Sequence, residues 1–198
     1  SPAIRLAGGK SLELTGSTPD NVDMIDVYSC FPVAVQIACR ELGFDMNRPL
    51  TVTGGLTFAG GPLNNYVMHS IARMAQLLRD NPGKRGMITA NGGYITKHAF
   101  GIYSTEAPER PFQHADLQDK VDATLKRDVV IEHQGAGTVE GYSVMYGPQG
   151  VSKAFVAARL DDGRRAWGTS EDRDLLQSMT NEEFCGRQVN LANHEATF

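Results

Sequence analysis

Apolar residues recur along this chain with two different periods. Phe31, Val35, Ala38 and Leu42 fall at i, i+4, i+7 and i+11, one continuous stripe of an amphipathic helix. Pro32 suits its first turn, where a missing N–H costs little, and Gly43 suits the position just past its end. Val67, Ile71, Met74 and Leu78 define a second helix, capped at Asn64 or Asn65 and finished before Pro82. A weaker helix runs from Ser1-Pro2 to about Gly16 through Ile4, Leu12 and Leu14, with Gly8-Gly9 as an interruption. Short apolar runs between these helices predict strands at Val22–Val27, Leu50–Val52, Gly86–Ala90 and His98–Ser104. Thr18-Pro19-Asp20 is a turn, and Asn91-Gly92-Gly93 should break the third strand. Alternating helices and strands over the first hundred residues indicate an α/β layered domain.

The pattern changes at Ala107–Pro111, where two prolines in five residues exclude a sheet interior. The organisation expected is a domain over 1–106, a linker over 107–122 and a second domain over 123–198. Strand candidates there are Val129–Ile131, Thr138–Tyr146, Val151–Leu160 and Arg187–Leu191, with Asp162-Gly163 as a hairpin turn. A short helix fits Glu171–Met179, and Thr180 with Glu183 has the spacing of a capping box. Closely spaced short strands predict a small antiparallel β-barrel.

Composition narrows the function classes. Hydrophobic residues make up 41% of 198 residues, enough for a core. Lys and Arg number 19 against 23 Asp and Glu, a formal charge of −4, so no general attraction to nucleic acid or an anionic membrane is expected. No apolar run approaches the ~20 residues that span a bilayer. The start at Ser1 carries no signal-peptide pattern and no Met, which reads as a processed or cut chain. Cys30, Cys39 and Cys185 form no CxxC pair, which favours a reducing cytoplasm over a disulfide or metal framework.

Three segments carry candidate chemistry: Asp26-Val27-Tyr28-Ser29-Cys30-Phe31, the loop Gly54-Gly55-Leu56-Thr57-Phe58-Ala59-Gly60-Gly61-Pro62, and Ala90-Asn91-Gly92-Gly93. In this order they resemble the motifs of the C-terminal half of the thiolases (acetyl-CoA acetyltransferases). Thiolases have Asn-Glu-Ala-Phe at the first, or His-Asp-Cys-Phe in sterol-carrier-type members. They have Gly-His-Pro at the second, and Cys-x-Gly or His-Asn at the third. An altered thiolase half followed by a short β-rich tail is similar to the thiolase-like proteins of type 1. The resemblance implies a half thiolase fold with a mixed sheet, then a β-barrel, and no ordinary thiolase activity.

The resemblance also assigns roles. In the family a cysteine in the other half is acylated by the thioester and the Gly-His-Pro histidine activates it. The first motif holds a water in an oxyanion site, and the third moves a proton at the acyl α-carbon. Here Gly61 stands where the histidine would be, Tyr28 at the oxyanion position and Asn91 at the proton-transfer position. Glycine cannot take a proton, and an amide does not titrate near neutrality. A general base is commonly worth ~10²–10⁴ in rate. Tyr28, Asn91 and His98 are the candidate catalytic residues, His98 as a replacement base. Gly60, Gly61, Asn91 and Gly92 are candidate contacts for a coenzyme A thioester, through backbone N–H groups at a helix N-terminus. No metal ligands are expected.

Plainer structural readings compete. The glycines permit a tight loop, Asn64 and Asn65 cap a helix, Cys30 is a buried small hydrophobe and His98 is a hydrogen-bonded strand residue. His69 sits mid-helix. Arg159, Arg164, Arg165, Trp167 and Arg173 could contact nucleic acid, but Asp161, Asp162, Glu171 and Asp172 interleave with them, so a solvated hairpin with Trp167 partly in the core is expected. Three readings of function follow. The first is a C-terminal thiolase-like fragment without thiolysis, a possible acyl-CoA binder whose partner is the missing N-terminal half. The second is an acyltransferase or retro-aldolase of lipid metabolism using Tyr28 and His98. The third is a non-catalytic partner of another thiolase-fold chain.

Overall fold

A computed structural model describes residues 1–198, which divide into two units, Ser1–Thr124 and Leu125–Phe198. No helix is long and apolar enough to cross a membrane.

The first unit is built on a three-stranded mixed sheet. β1 (Met24–Asp26) lies parallel to β2 (Arg85–Gly92), which pairs antiparallel with β3 (Lys97–Ser104). Gly86 to Thr89 of the central β2 are all buried, as a strand covered on both faces requires. The N-terminal helix does not break at its glycine pair: a π-helical segment, Ile4–Gly8, continues into α1 (Gly9–Leu14). A Cβ added at Gly8 would lie 2.4 Å from Leu42 Cδ2 and 3.2 Å from the Phe100 ring. Gly8 is therefore a close-packing position between elements, not a helix stop. Thr18 caps a 3-10 turn, Pro19–Asn21, with Asn21 completing a capping box.

α2 (Pro32–Leu42) ends on Gly43, at φ 76°, whose N–H donates to the Cys39 carbonyl. Its buried row is Ala34, Ala38, Cys39 and Leu42, whereas Phe31 is 56% exposed. Phe31 precedes the helix with extended backbone (φ −141°, ψ 150°), so it does not share the helical period. After α3 (Leu56–Ala59) comes α4 (Tyr66–Asp80), which buries Tyr66, Ser70, Met74 and Leu78, one i, i+4 row. Val67 and Ile71 flank it half-buried. Asn65 holds the cap position, but no side-chain capping bond forms, and Asn64 lies outside the helix.

Two strand expectations are corrected. Leu50–Val52 forms no strand: the Val52 N–H, which a ladder would use, donates to the Asp26 carboxylate, as does the Thr51 hydroxyl, and the chain bends at Val52. β2 does not stop at Asn91. It runs through Gly92, and the reversal falls on Gly93, Tyr94 and Ile95, all at positive φ. The Thr96 hydroxyl donates to the Gly93 carbonyl and closes that turn. Within the stretch read as linker, α5 (Gln118–Asp122) forms.

The second unit contains β4 (Val129–Val130), β5 (Gly135–Gly147), β6 (Gly150–Arg159), β7 (Arg165–Ser170), α6 (Arg173–Asn181), β8 (Gln188–Ala192) and β9 (Glu195–Thr197). Six strands follow the order β4-β7-β6-β5-β8-β9. The expected antiparallel pairing holds for β5–β6, β5–β8, β6–β7 and β8–β9, but the sheet is mixed and not wholly antiparallel. β4 meets β7 in parallel, as does β9 at the single pair Thr169↔Glu195. Both reach β7 by non-hairpin connections, which permit the parallel sense. α6 packs on the inner face through Leu176 and Met179, against Val156, Val189 and Leu191. Asp172 is its cap, accepting from the Asp174 and Leu175 N–H groups, while Thr180 lies inside the helix and donates to Gln177, so it caps nothing. Trp167 is 51% exposed, not partly in the core, because its neighbours Ala166 and Gly168 take the inward positions of β7.

Candidate functional site

The three loops singled out in the sequence gather at the carboxyl ends of β1 and β2, the edge of a parallel pair where α/β sheets place ligands. β1 ends at Asp26, and the Tyr28 N–H donates to Thr89 Oγ1 at 2.9 Å. Thr89 lies two residues before Asn91, so the first and third loops are joined directly. The second loop is tied to the first by Ser29, whose Oγ accepts the Leu56 N–H at 3.0 Å.

Asp26 organises this end of the sheet. It is fully buried, with no basic side chain on it. Its Oδ1 accepts from the Tyr66 hydroxyl at 2.9 Å and the Ser70 hydroxyl at 2.6 Å. Its Oδ2 accepts from Thr51 Oγ1 at 2.8 Å, the Val52 N–H at 2.9 Å and Thr53 Oγ1 at 3.3 Å. One carboxyl group thus fastens β1 to α4 and to the segment entering the glycine loop. Burial, followed by smaller contributions that include the Asp26 charge, pushes the Tyr66 phenol above its ordinary pKa. Sequence reasoning gave Asp26, Tyr66 and Ser70 no role. Their signals were a lone acid inside the apolar run Met24-Ile25-Asp26-Val27 and polar residues four apart on one helix.

The glycine loop is internally satisfied. Gly55 is buried at φ 78°, and an added Cβ would lie 2.7 Å from Ser29 Oγ. Its N–H donates to Thr53 Oγ1, and its carbonyl accepts from Phe58 and Ala59. Gly60 is exposed at φ 79°, and Gly61 is exposed with φ outside the left-handed region. A Cβ on Gly61 would meet only Leu56 Cδ2, at 3.4 Å, an ordinary contact. No long helix follows directly: Leu63 and Asn64 form a turn before α4, and the first N–H of the four-residue α3 is already bound to Ser29.

Tyr28 is half-buried, its ring edge-on to Tyr66 with centroids 5.4 Å apart, and its hydroxyl has no hydrogen-bond partner within the protein. Asn91 and His98 are brought together as a cross-strand pair of the β2–β3 hairpin. His98 Nδ1 lies 2.8 Å from the Asn91 amide oxygen and Nε2 lies 3.1 Å from the Ile95 carbonyl. Burial lowers the imidazole pKa, outweighing the opposing Ile95 contact. Both ring nitrogens therefore face oxygen acceptors, and a neutral ring, which carries a single N–H, donates to one of them at a time. Gly92, half-buried, sits opposite Lys97. Cys30 is half-buried rather than fully buried, and His69 is exposed.

These features define a thiolase-like half-domain followed by a β-rich unit. Residues 116–196 match the family described as the thiolase-like protein type 1 additional C-terminal domain. The crystal structure of a monomeric SCP2-thiolase like protein type 1 from Mycobacterium smegmatis superposes with a TM-score of 0.88 at 37% identity, covering 97% of this chain. The chain spans 43% of that protein's length. No curated protein matches the sequence. The resemblance to thiolase-like proteins therefore holds along almost the whole chain.

Proposed function

We propose that this chain is the C-terminal portion of a thiolase-like protein that does not perform thiolysis and whose loops bind a coenzyme A thioester without turning it over. The observation that carries this reading is the glycine loop. It keeps the tight backbone of a catalytic loop, held from behind by Asp26, yet offers only Gly61 at the point of chemistry. The engagement of both His98 ring nitrogens within its own hairpin supports reading it as a structural residue and not as a stand-in for the missing base. Support for thioester binding comes from the exposed backbone of Gly61 and from the Tyr28 hydroxyl, whereas the Gly60 N–H already donates to the Leu56 carbonyl at 3.0 Å. The test is calorimetric titration of acetyl-CoA into the full-length protein, beside an assay with acetoacetyl-CoA and CoA. Binding without turnover is expected. Saturable thiolysis overturns the catalytic part, and no heat of binding up to millimolar ligand overturns the rest.

A second reading rests on the unpartnered Tyr28 hydroxyl. A retro-aldol cleavage of a β-hydroxyacyl thioester needs no acylated cysteine: His98, once released from its hairpin contacts, would take the β-hydroxyl proton as the Cα–Cβ bond breaks to a carbonyl compound and a thioester enolate, and Tyr28 would protonate the enolate. Activity on such substrates that disappears in Tyr28→Phe would favour it over the first. The exposed apolar residues Phe58, Leu63 and Met68 near the glycine loop suit the missing N-terminal half or another thiolase-fold chain as partner.

A further inference from the structure

The second unit leaves half of its longest strand without a neighbour. β8 covers β5 over Gly135–Thr138. Two further bonds, Val139 N–H to the Arg187 carbonyl and Gly186 N–H to the Val139 carbonyl, both 2.9 Å, extend that cover by one residue. The covering chain then turns away at Gly186, at φ 89°. From Gly141 to Tyr146, β5 keeps β6 on one side and has no strand on the other. An open groove of about 530 Å³ follows this bare edge, with Tyr142, Val144 and Tyr146 along β5 and Met179, Glu183 and Cys185 opposite.

We propose that this edge takes up an extended, basic peptide of another protein as an added antiparallel or parallel strand. Backbone groups along an edge bind any extended chain, and pockets beside the edge select alternate side chains. Exposed edges are ordinarily blunted by lysine, proline or a covering segment. Gly141–Tyr146 contains neither residue, and irregular register at Val139/Gly141 and Met145/Tyr146 confines the regular stretch to the groove. Charge decides the occupant. The groove lining contains Glu183 and no Lys or Arg. The Glu183 carboxylate is held in place by the Cys185 N–H at 2.7 Å. Residues 125–198 carry eleven Asp and Glu against eight Lys and Arg, so a cationic segment is favoured over an acidic one or a second copy of this chain. Tyr142 and Tyr146 supply amphipathic surface for the apolar side chains between its charges.

The experiment selects octapeptides from a random displayed library on the full chain, then synthesises the enriched sequence in three forms. One is unmodified, and two are N-methylated on alternate amides, in opposite registers. Enrichment of alternating apolar residues with at least one Lys or Arg is expected. One methylation register should weaken binding about tenfold or more, the cost of lost main-chain hydrogen bonds, and the other should leave it within about twofold. Glu183→Gln should weaken binding and flatten its salt dependence, and amide exchange should slow at Gly141–Tyr146. The proposal is overturned if no peptide enriches, if both methylated forms bind like the parent, or if protection falls elsewhere. It is equally overturned if light scattering shows the chain dimerising with this edge protected before any peptide is added.

Discussion

Asn91 and His98 face each other across the β2–β3 hairpin, with His98 Nδ1 2.8 Å from the Asn91 amide oxygen. Two residues considered separately as proton carriers are thus one another's hydrogen-bond partners. The Ile95 carbonyl lies beside the second ring nitrogen, so both nitrogens have partners within the hairpin.

A pH dependence follows. Burial lowers the His98 pKa below its unfolded value of about 6.5. Between the two values the unfolded chain binds more protons, so folding stability rises with pH. The contribution is fully present above the unfolded pKa and is lost as pH falls through the folded one. Urea denaturation at a series of pH values below 7 should show stability falling with acid. His98→Gln should flatten that part of the profile, and an NMR titration should give an imidazole pKa below the ordinary histidine value.

Asp26→Asn should destabilise the first unit strongly. An amide NH₂ in place of one carboxyl oxygen leaves at least one buried donor unpaired, and the Val52 N–H cannot reverse its role. About 1–3 kcal/mol is expected for each stranded group. Tyr66→Phe, which removes the 2.9 Å bond to Asp26 and the 2.7 Å contact with Thr53 Oγ1, should cost about 1–3 kcal/mol. Denaturant midpoints with an unchanged slope provide the measurement.

The glycines of the loop should divide by position. Gly55→Ala forces a Cβ to 2.7 Å from Ser29 Oγ at a positive φ and should cost about 1–3 kcal/mol. The Cβ of Gly61→His meets only Leu56, and the substitution should change stability by less than about 0.5 kcal/mol. Thermal denaturation of the two variants distinguishes a glycine the loop requires from one it does not.

Much of the fold was readable from local pattern. The α2 and α4 stripes, Pro32, Gly43 and the Asp162-Gly163 turn depend on neighbours a few residues away. Some misreadings are local, such as Phe31 counted into the helical stripe and Thr180 read as a cap. Others involve long-range partners. Gly8 looks like a helix break until Leu42 is placed against it. Leu50–Val52 looks like a strand until Asp26 takes the Val52 N–H. Tyr66 and Ser70 have no assigned role until the same carboxyl group is found beside them. The motif order picked out three loops that lie together at one end of the sheet, but the register that joins Asn91 to His98 depends on a turn at three positive-φ residues, two of them not glycine.

The cysteines should differ in reactivity. Cys39 is buried, and burial raises its thiol pKa, so it should resist iodoacetamide until the first unit unfolds. Cys185 is exposed and should react in the native state, slowly, because burial of the sulfur and the nearby Glu183 both raise its pKa. Mass spectrometry of peptides after timed alkylation reads both rates.

The most direct measurement is the steady-state rate of acetoacetyl-CoA thiolysis by the full-length protein, followed by loss of the enolate absorbance with CoA present. A loop that presents a glycine where a proton must be taken predicts a rate indistinguishable from buffer at any substrate concentration. A saturable, enzyme-dependent rate would contradict it.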